Sequence, residues 1–451
     1  MTESQVDKGG NRMKKRIVAG MLFTAVFCSA FTGCGNNQAA SGSEDEGMES
    51  VVPGSEPSTE VTALDNRENT DSGVVELTVW SEPDNFDTLN KMIDSFKAEY
   101  AGQAEFEITL AEGSDAKTKD DLLGDIHNGA DVFPFADDQL SAMVAAGALY
   151  PVPNADEVKA ANLEDSVTAA TINDTLYAYP MTADNGYFLY YDKSVLTETD
   201  VQTMDGMLAA LEAAGKTLSM ELNSGWYLYS FFGNTGLEFG INDDGVTNYC
   251  NWNTTEGNIK GVDVAQAILN ITASPAFVAQ ADADFIEQIK GGTVAAGISG
   301  VWNDVAVREV WGDNYGAVKL PTYTVAGQQV QMASFTGYKM LGVNAYSKYP
   351  EWAAKLADWL TNEENQTLRF EERGQGPSNI NAAASDAVEQ SPAIQAVIAQ
   401  SEFGKLQRVG NAYWDPCTAF GDTMAAGNPS NQDLQEIMDN LAKGISASAA
   451  Q

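Results

Sequence analysis

A single histidine, His127, stands in a chain of 451 residues, and only four cysteines accompany it. That scarcity excludes a metal site built from His and Cys ligands and removes the Ser-His-Asp and Cys-His arrangements of nucleophilic catalysis. An HExxH helix needs two histidines; a glycine loop ending in Lys-Ser/Thr and a G-x-S-x-G elbow are equally missing from the sequence. No metal and no cofactor are expected. Basic residues are also few: 25 Lys+Arg face 64 Asp+Glu, a formal net charge of −39. A field of that sign repels nucleic acid and anionic headgroups, so neither is an expected partner. The one long apolar run, Ile17 to Phe31, is shorter than the ~20 residues of a membrane-spanning helix.

What is present begins with that run. Met13-Lys14-Lys15-Arg16 precedes it as a basic region, and Phe31-Thr32-Gly33-Cys34 closes it. This order is that of an export signal, with Met13 as the working start. Small residues before a cysteine resemble the processing signal of bacterial lipoproteins, with Phe31 where that pattern prefers Leu. The resemblance implies a signal peptide over 1–33 and lipidation (palmitate-type acylation) of Cys34. Residues 34–73 are rich in Ser, Gly, Asn and Glu, with Arg67 as their one basic residue, too polar to bury a core. They read as a lipid-anchored, acidic tether. Cys250 and Cys417 remain beyond Cys28 and Cys34; in an exported protein they fit either one disulfide or two buried thiols.

From Val75 onward, strands and helices alternate. Val75–Trp80 alternates as a strand, and a helix follows from about Asp87 to Tyr100 with Leu89, Met92, Ile93 and Phe96 on one face. Phe106–Leu110 and Val132–Phe135 are further strands, and helices are expected over Lys117–His127 and Asp138–Ala146. Val262–Thr272 and Pro350–Thr361 are expected helices, with Trp352 and Trp359 packing in the core. The pattern predicts an α/β fold with a mostly parallel sheet, whose ligands bind beyond the carboxyl ends of strands. Thr182–Gly186 reads as a turn and Tyr187–Tyr191 as a buried strand, so the chain is expected to pass from one lobe to another near Asp184. His127 reads as a surface residue.

Several aromatic residues fall just after strands, among Asp, Glu and Asn. Sugars have apolar faces that stack on rings and hydroxyls that bond carboxylates and amides, so this mixture suits a neutral, hydroxyl-rich ligand. With 64 acidic residues, a glycoside hydrolase using paired carboxylates stays the enzyme alternative; a binder of another solute class, polyol or peptide, is the third.

The stretches LTVWSEPDN, DVFPFADDQLSAMVAAGALYPV, YAYPMTADNGYFLYYDKSVL, AAGISGVWND and GNAYWDPCTAF occur in an order and spacing that resemble the extracellular solute-binding proteins of bacterial carbohydrate ABC importers, in the group that includes maltose-binding protein. The resemblance runs from about Val75 to Ile445. It implies a non-enzymatic, monomeric receptor of two α/β lobes joined by hinge strands, holding an oligosaccharide (malto-oligosaccharide first) for permease subunits at the outer face of the cell membrane. One lobe would comprise 75–183 plus 331–381, the other 184–326 plus 382–446. The ligand-binding positions it implies are Trp80, Asp84, Phe135, Asp138, Asp184, Trp226, Tyr227, Trp302 and Trp414; Glu82, just after the first strand at the sheet's ligand edge, and Asn85 in the same loop are expected to join them. Asn85 and Gln139 stand where the maltose-binding group has a lysine and an arginine, a departure that bears on which sugar is held.

Overall fold

A computed structural model describes residues 73–242 and 246–447. The signal segment 1–33, Cys34 and the tether up to residue 72 lie outside the described residues. Strand β1 (Val74–Ser81) buries Val75, Leu77 and Val79, the inward set of a period-2 pattern. Helix α1 (Phe86–Glu99) buries Leu89, Met92, Ile93 and Phe96. Each such side chain contributes about 1.5–3 kcal/mol when fully removed from water. Helix α1 packs on the helix Pro350–Leu360, which opens with a proline in its first turn, where a missing N–H is harmless. Trp352 meets Phe106 at 4.9 Å and Tyr100 at 5.6 Å, and Trp359 meets Phe96 at 6.3 Å, edge-on, as core packing requires. His127 is exposed, its ring 4.5 Å from that of Tyr346.

A ten-stranded sheet organises the chain. Its other strands are β2 (Glu105–Glu112), β3 (Val132–Ala136), β4 (Ala178–Asp192), β5 (Thr217–Met220), β6 (Phe277–Ala279), β7 (Val294–Gly300), β8 (Tyr315–Val318), β9 (Ser334–Val343) and β10 (Gly404–Leu406). The order is β6-β5-β7-β4-β9-β3-β1-β2, with β8 on β4 and β10 on β9. The two ends of the sheet are parallel, β1 with β2 and β3, and β5 with β6 and β7. The middle is antiparallel, β4 with β7 and with β9.

The expected turn at Thr182–Gly186 is instead the middle of β4. Thr182 pairs with Lys339, Asn185 with Gly337 and Gly186 with Thr336, and the register shifts twice between Gly337 and Met340. Sheet partners satisfy these backbone groups, which an interior turn would leave without any. A side chain at Gly337 would put its Cβ 2.6 Å from Asp137 Oδ1, so glycine lets the two strands and Asp137 approach here.

Two apolar cores flank this middle. Val75, Phe96, Phe133, Phe135, Tyr179, Met181, Met340 and Leu341 belong to one. Tyr187, Leu189, Phe231, Trp252, Met332, Ala333, Phe335 and Tyr413 belong to the other, with a satellite around Phe188, Trp311 and Ile394. Met332, Ala333 and Phe335 pack with the second core. A third link follows the helix α2 (Glu363–Arg373), which ends at Gly374 in the left-handed conformation, φ +69°. There Ala183 donates its N–H to Gly376 O at 3.0 Å.

Candidate functional site

The loop after β1 supplies one wall. Trp80 is half-buried, and Glu82 and Asp84 are exposed. Arg373, at the end of α2, ties the loop down: its Nε donates to Asn85 Oδ1 at 3.2 Å and its guanidinium lies 3.8 Å from Asp84 Oδ2. A pocket opens behind them, lined by Trp80, Glu82, Asn85, Asp115, Lys339 and Arg369 among others. Lys339 Nζ pairs with Asp115 Oδ2 at 2.6 Å, both side chains about one-sixth exposed (15% and 16%). Burial works against the charge of Lys339, but Asp115, Glu82 and Asp184 outweigh it and hold the ammonium above its ordinary pKa. The enclosing walls, and then Asp115, push the Glu82 carboxyl upward.

The second core supplies three half-buried indoles. Trp302 follows β7; its Nε1 donates to Asp282 Oδ2 at 2.7 Å, and its ring lies so close to Gly300 that any Cβ there would fall 2.1 Å from it. Lys339 Nζ reaches 5.5 Å from the Trp302 ring centroid, within cation–π range. Trp226, on the helix Gly225–Phe232, stacks on Phe335 at 5.6 Å. Trp414 packs edge-on against Tyr413 at 5.1 Å, and a Cβ on Gly225 would stand 3.2 Å from its ring.

Three of the expected positions lie elsewhere than on an accessible wall. Phe135 is 0% exposed, because the inward face of β3 turns it onto Phe133 and the strand β9. Tyr227 is 3% exposed and packs on Tyr187 at 5.0 Å. Asp184 is buried and accepts the Gly376 N–H, and burial raises its pKa. Asp138 is half-buried and accepts from Gln407 Nε2 at 2.9 Å; burial, then the neighbouring Asp137, push its pKa up to about 7.

Asp115, Asp137, Asp282, Lys339 and Arg373 were missed by the sequence reading. For Lys339 a signal existed: a lone cation inside the strand run Tyr338–Leu341 of a very acidic chain. The others carry no such mark among 64 acidic residues. Cys250 and Cys417 are unjoined, and Cys417 is buried. Among the described residues no His, Cys, Asp and Glu cluster could hold a metal ion, and no helix is long and apolar enough to cross a membrane.

Comparison with known proteins follows this geometry. A model of the bacterial extracellular solute-binding protein family matches residues 91–396. The galactooligosaccharide-binding protein of Bacillus subtilis strain 168 is 27% identical over 391 residues, covering 82% of this chain and 89% of its own. A maltooligosaccharide ABC transporter solute-binding lipoprotein of Streptococcus pneumoniae R6 is 25% identical, covering 76% and 82%. Among solved structures, one with acarbose superposes with a TM-score of 0.74 at 28% identity over 83% of this chain and 99% of its own. The unliganded maltodextrin-binding protein of L. casei BL23 gives 0.69 at 25% identity, over 83% and 100%. The chain accordingly has the two-lobe solute-binding fold.

Proposed function

Because this chain belongs to the bacterial extracellular solute-binding protein family, we propose that it captures an oligosaccharide between its lobes and presents it to the permease subunits of an ABC importer. One observation carries the reading: the half-buried Trp302 of the second lobe stands 5.5 Å from Lys339, beside the carboxylates of the first-lobe wall. A ring for stacking and charged groups for hydroxyls meet at one place. Similar proteins with galactooligosaccharide, maltooligosaccharide and maltodextrin in their names support an oligosaccharide as ligand, with malto-oligosaccharide as the first candidate.

In this reading Trp80, Glu82, Asp84 and Asn85 line the first-lobe side, and Trp226, Trp302 and Trp414 the second. Phe135, Asp138, Asp184 and Tyr227 support these walls from behind. The first lobe takes 75–183 and resumes near Gly337, after Phe335 has packed in the second core. The lobes hinge at β4, at β9 and at Gly376. Ligand contacts available only when both walls meet shift the population toward the closed form, and the work is capture without bond cleavage. Acylated Cys34 and the tether keep this monomeric receptor at the outer face of the membrane.

Calorimetry against malto-oligosaccharides, galacto-oligosaccharides, monosaccharides, polyols and short peptides tests the reading. Binding of an oligosaccharide, with compaction in solution scattering and no cleavage products, is expected. Failure to bind any saccharide would end it.

A further inference from the structure

Lys339 lies where three parts of the molecule meet. Its backbone pairs with Ala136 of β3 on one side and Thr182 of β4 on the other, so its position is fixed by the crossing strands. Its side chain is 15% exposed. Such a cation keeps its charge only because carboxylates surround it, and Asp115, Glu82 and Asp184 all do. Asp115 is the close partner, at 2.6 Å. On the other side the ammonium faces the ring of Trp302, 5.5 Å from its centroid. An ammonium has three N–H groups; one close carboxylate does not consume them, and an aromatic face is a weak substitute for an oxygen acceptor.

We propose that Lys339 is a ligand-contacting, specificity-determining residue: it donates to a hydroxyl of the sugar that stacks on Trp302, and Asp115 is the positioning residue that aims it. This rests on the oligosaccharide reading above. The residues pair a donor with an acceptor, since the Lys339 ammonium donates hydrogen bonds to a hydroxyl oxygen and the neighbouring Glu82 carboxyl accepts one from a hydroxyl. A hydroxylated ring pressed on Trp302 meets both, and its orientation on that indole is fixed. An apolar ligand of the same size leaves the ammonium without a new acceptor and loses this contact.

The test uses the mature chain with maltotetraose and β-1,4-galactotetraose as probes. Lys339→Met weakens whichever tetrasaccharide binds by at least tenfold in calorimetry, whereas Lys339→Arg, which keeps charge and donors, recovers most of the loss. In the wild-type chain, saturating sugar reduces acetylation of Lys339 by an amine-specific reagent, read by mass spectrometry, and leaves the exposed Lys91 unchanged. The labelling needs no variant, so it decides the matter even where Lys339→Met fails to fold. Affinity of Lys339→Met within twofold of wild type, or equal labelling of Lys339 with and without bound sugar, overturns the assignment and leaves the oligosaccharide reading standing. A wild-type chain that binds no saccharide overturns that reading itself, and this assignment with it.

Discussion

The buried carboxylate of Asp137, just after β3, pairs with the guanidinium of Arg408, just after β10. Asp137 follows β3, whose Val132, Phe133 and Phe135 belong to the first core; Arg408 lies between β10 and Val409, which packs on the second core. The same carboxylate accepts the Tyr338 N–H at 2.9 Å, on the crossing strand β9. Beside it Gln407 bonds Asp138, and Lys119 Nζ reaches Asn411 Oδ1 at 3.2 Å. A short stretch after β10 thus ties residues around the second core to the segment that follows β3.

Removing Arg408 leaves a carboxylate that is 1% exposed without its countercharge. Arg408→Ala is expected to cost about 2–3 kcal/mol of stability at pH 8. Burial already raises the Asp137 pKa, and loss of Arg408 raises it further, so protonation relieves the cost as pH falls. Urea unfolding at about pH 8 and about pH 5 checks this; equal losses at both would show that the pair matters through packing alone.

Asp138 titrates in the opposite sense to an ordinary stabilising carboxylate. Its pKa rises on folding from 3.8 to about 7. The folded chain therefore holds a proton that the unfolded chain has released, and this contribution to stability is greatest below pH 3.8 and lost as pH rises through about 7. Asp138→Asn, which can still accept from Gln407, should flatten the dependence and raise the melting temperature at about pH 8. A variant that follows the wild-type curve across that range would count against it.

Phe135 and Trp302 separate core from wall. Phe135→Ala should lower stability by about 3–5 kcal/mol, the cost of a cavity under β3. Trp302→Ala and Trp414→Ala should each weaken oligosaccharide binding by about 1–3 kcal/mol and lower the melting temperature less than Phe135→Ala, because both rings are half-buried rather than enclosed. Calorimetry and thermal melting on the same samples decide; a large affinity loss with intact stability in Phe135→Ala would return that ring to the pocket.

Gly376 sits against β4 at Ala183 and Asp184. A Cβ there would meet Ile394 Cδ1 at 2.9 Å and Asp184 Cβ at 3.0 Å. Gly376→Ala is expected to destabilise by about 1–2 kcal/mol through this crowding and to loosen the Asp184 carboxylate from the Gly376 N–H. Thermal melting reads the first effect. Solution scattering of the ligand-free chain reads the second, as a change in lobe spacing.

Much of this was legible in the chain. The inward faces of β1 and α1, the Trp352–Trp359 packing and the two-lobe class all follow from periodicity or from the quoted stretches, because local spacing decides which side of a strand or helix is apolar. Phe135 illustrates the limit. It closes the apolar part of β3 and precedes polar residues, as a wall residue would, but β3 is covered on both faces once β9, roughly two hundred residues later in the chain, pairs with it.

The sequence by itself determined the scarcity of His and Cys, hence which His- and Cys-based sites it cannot build, and the local elements and aromatic residues from which walls are made. Only the tertiary structure decided which polar groups meet. The run at Thr182–Gly186 became a strand because β9 supplied its backbone partners. Lys339, Asp115 and Trp302 became neighbours because strands from both lobes run through one sheet, and no local pattern records a contact made across so long a stretch of chain.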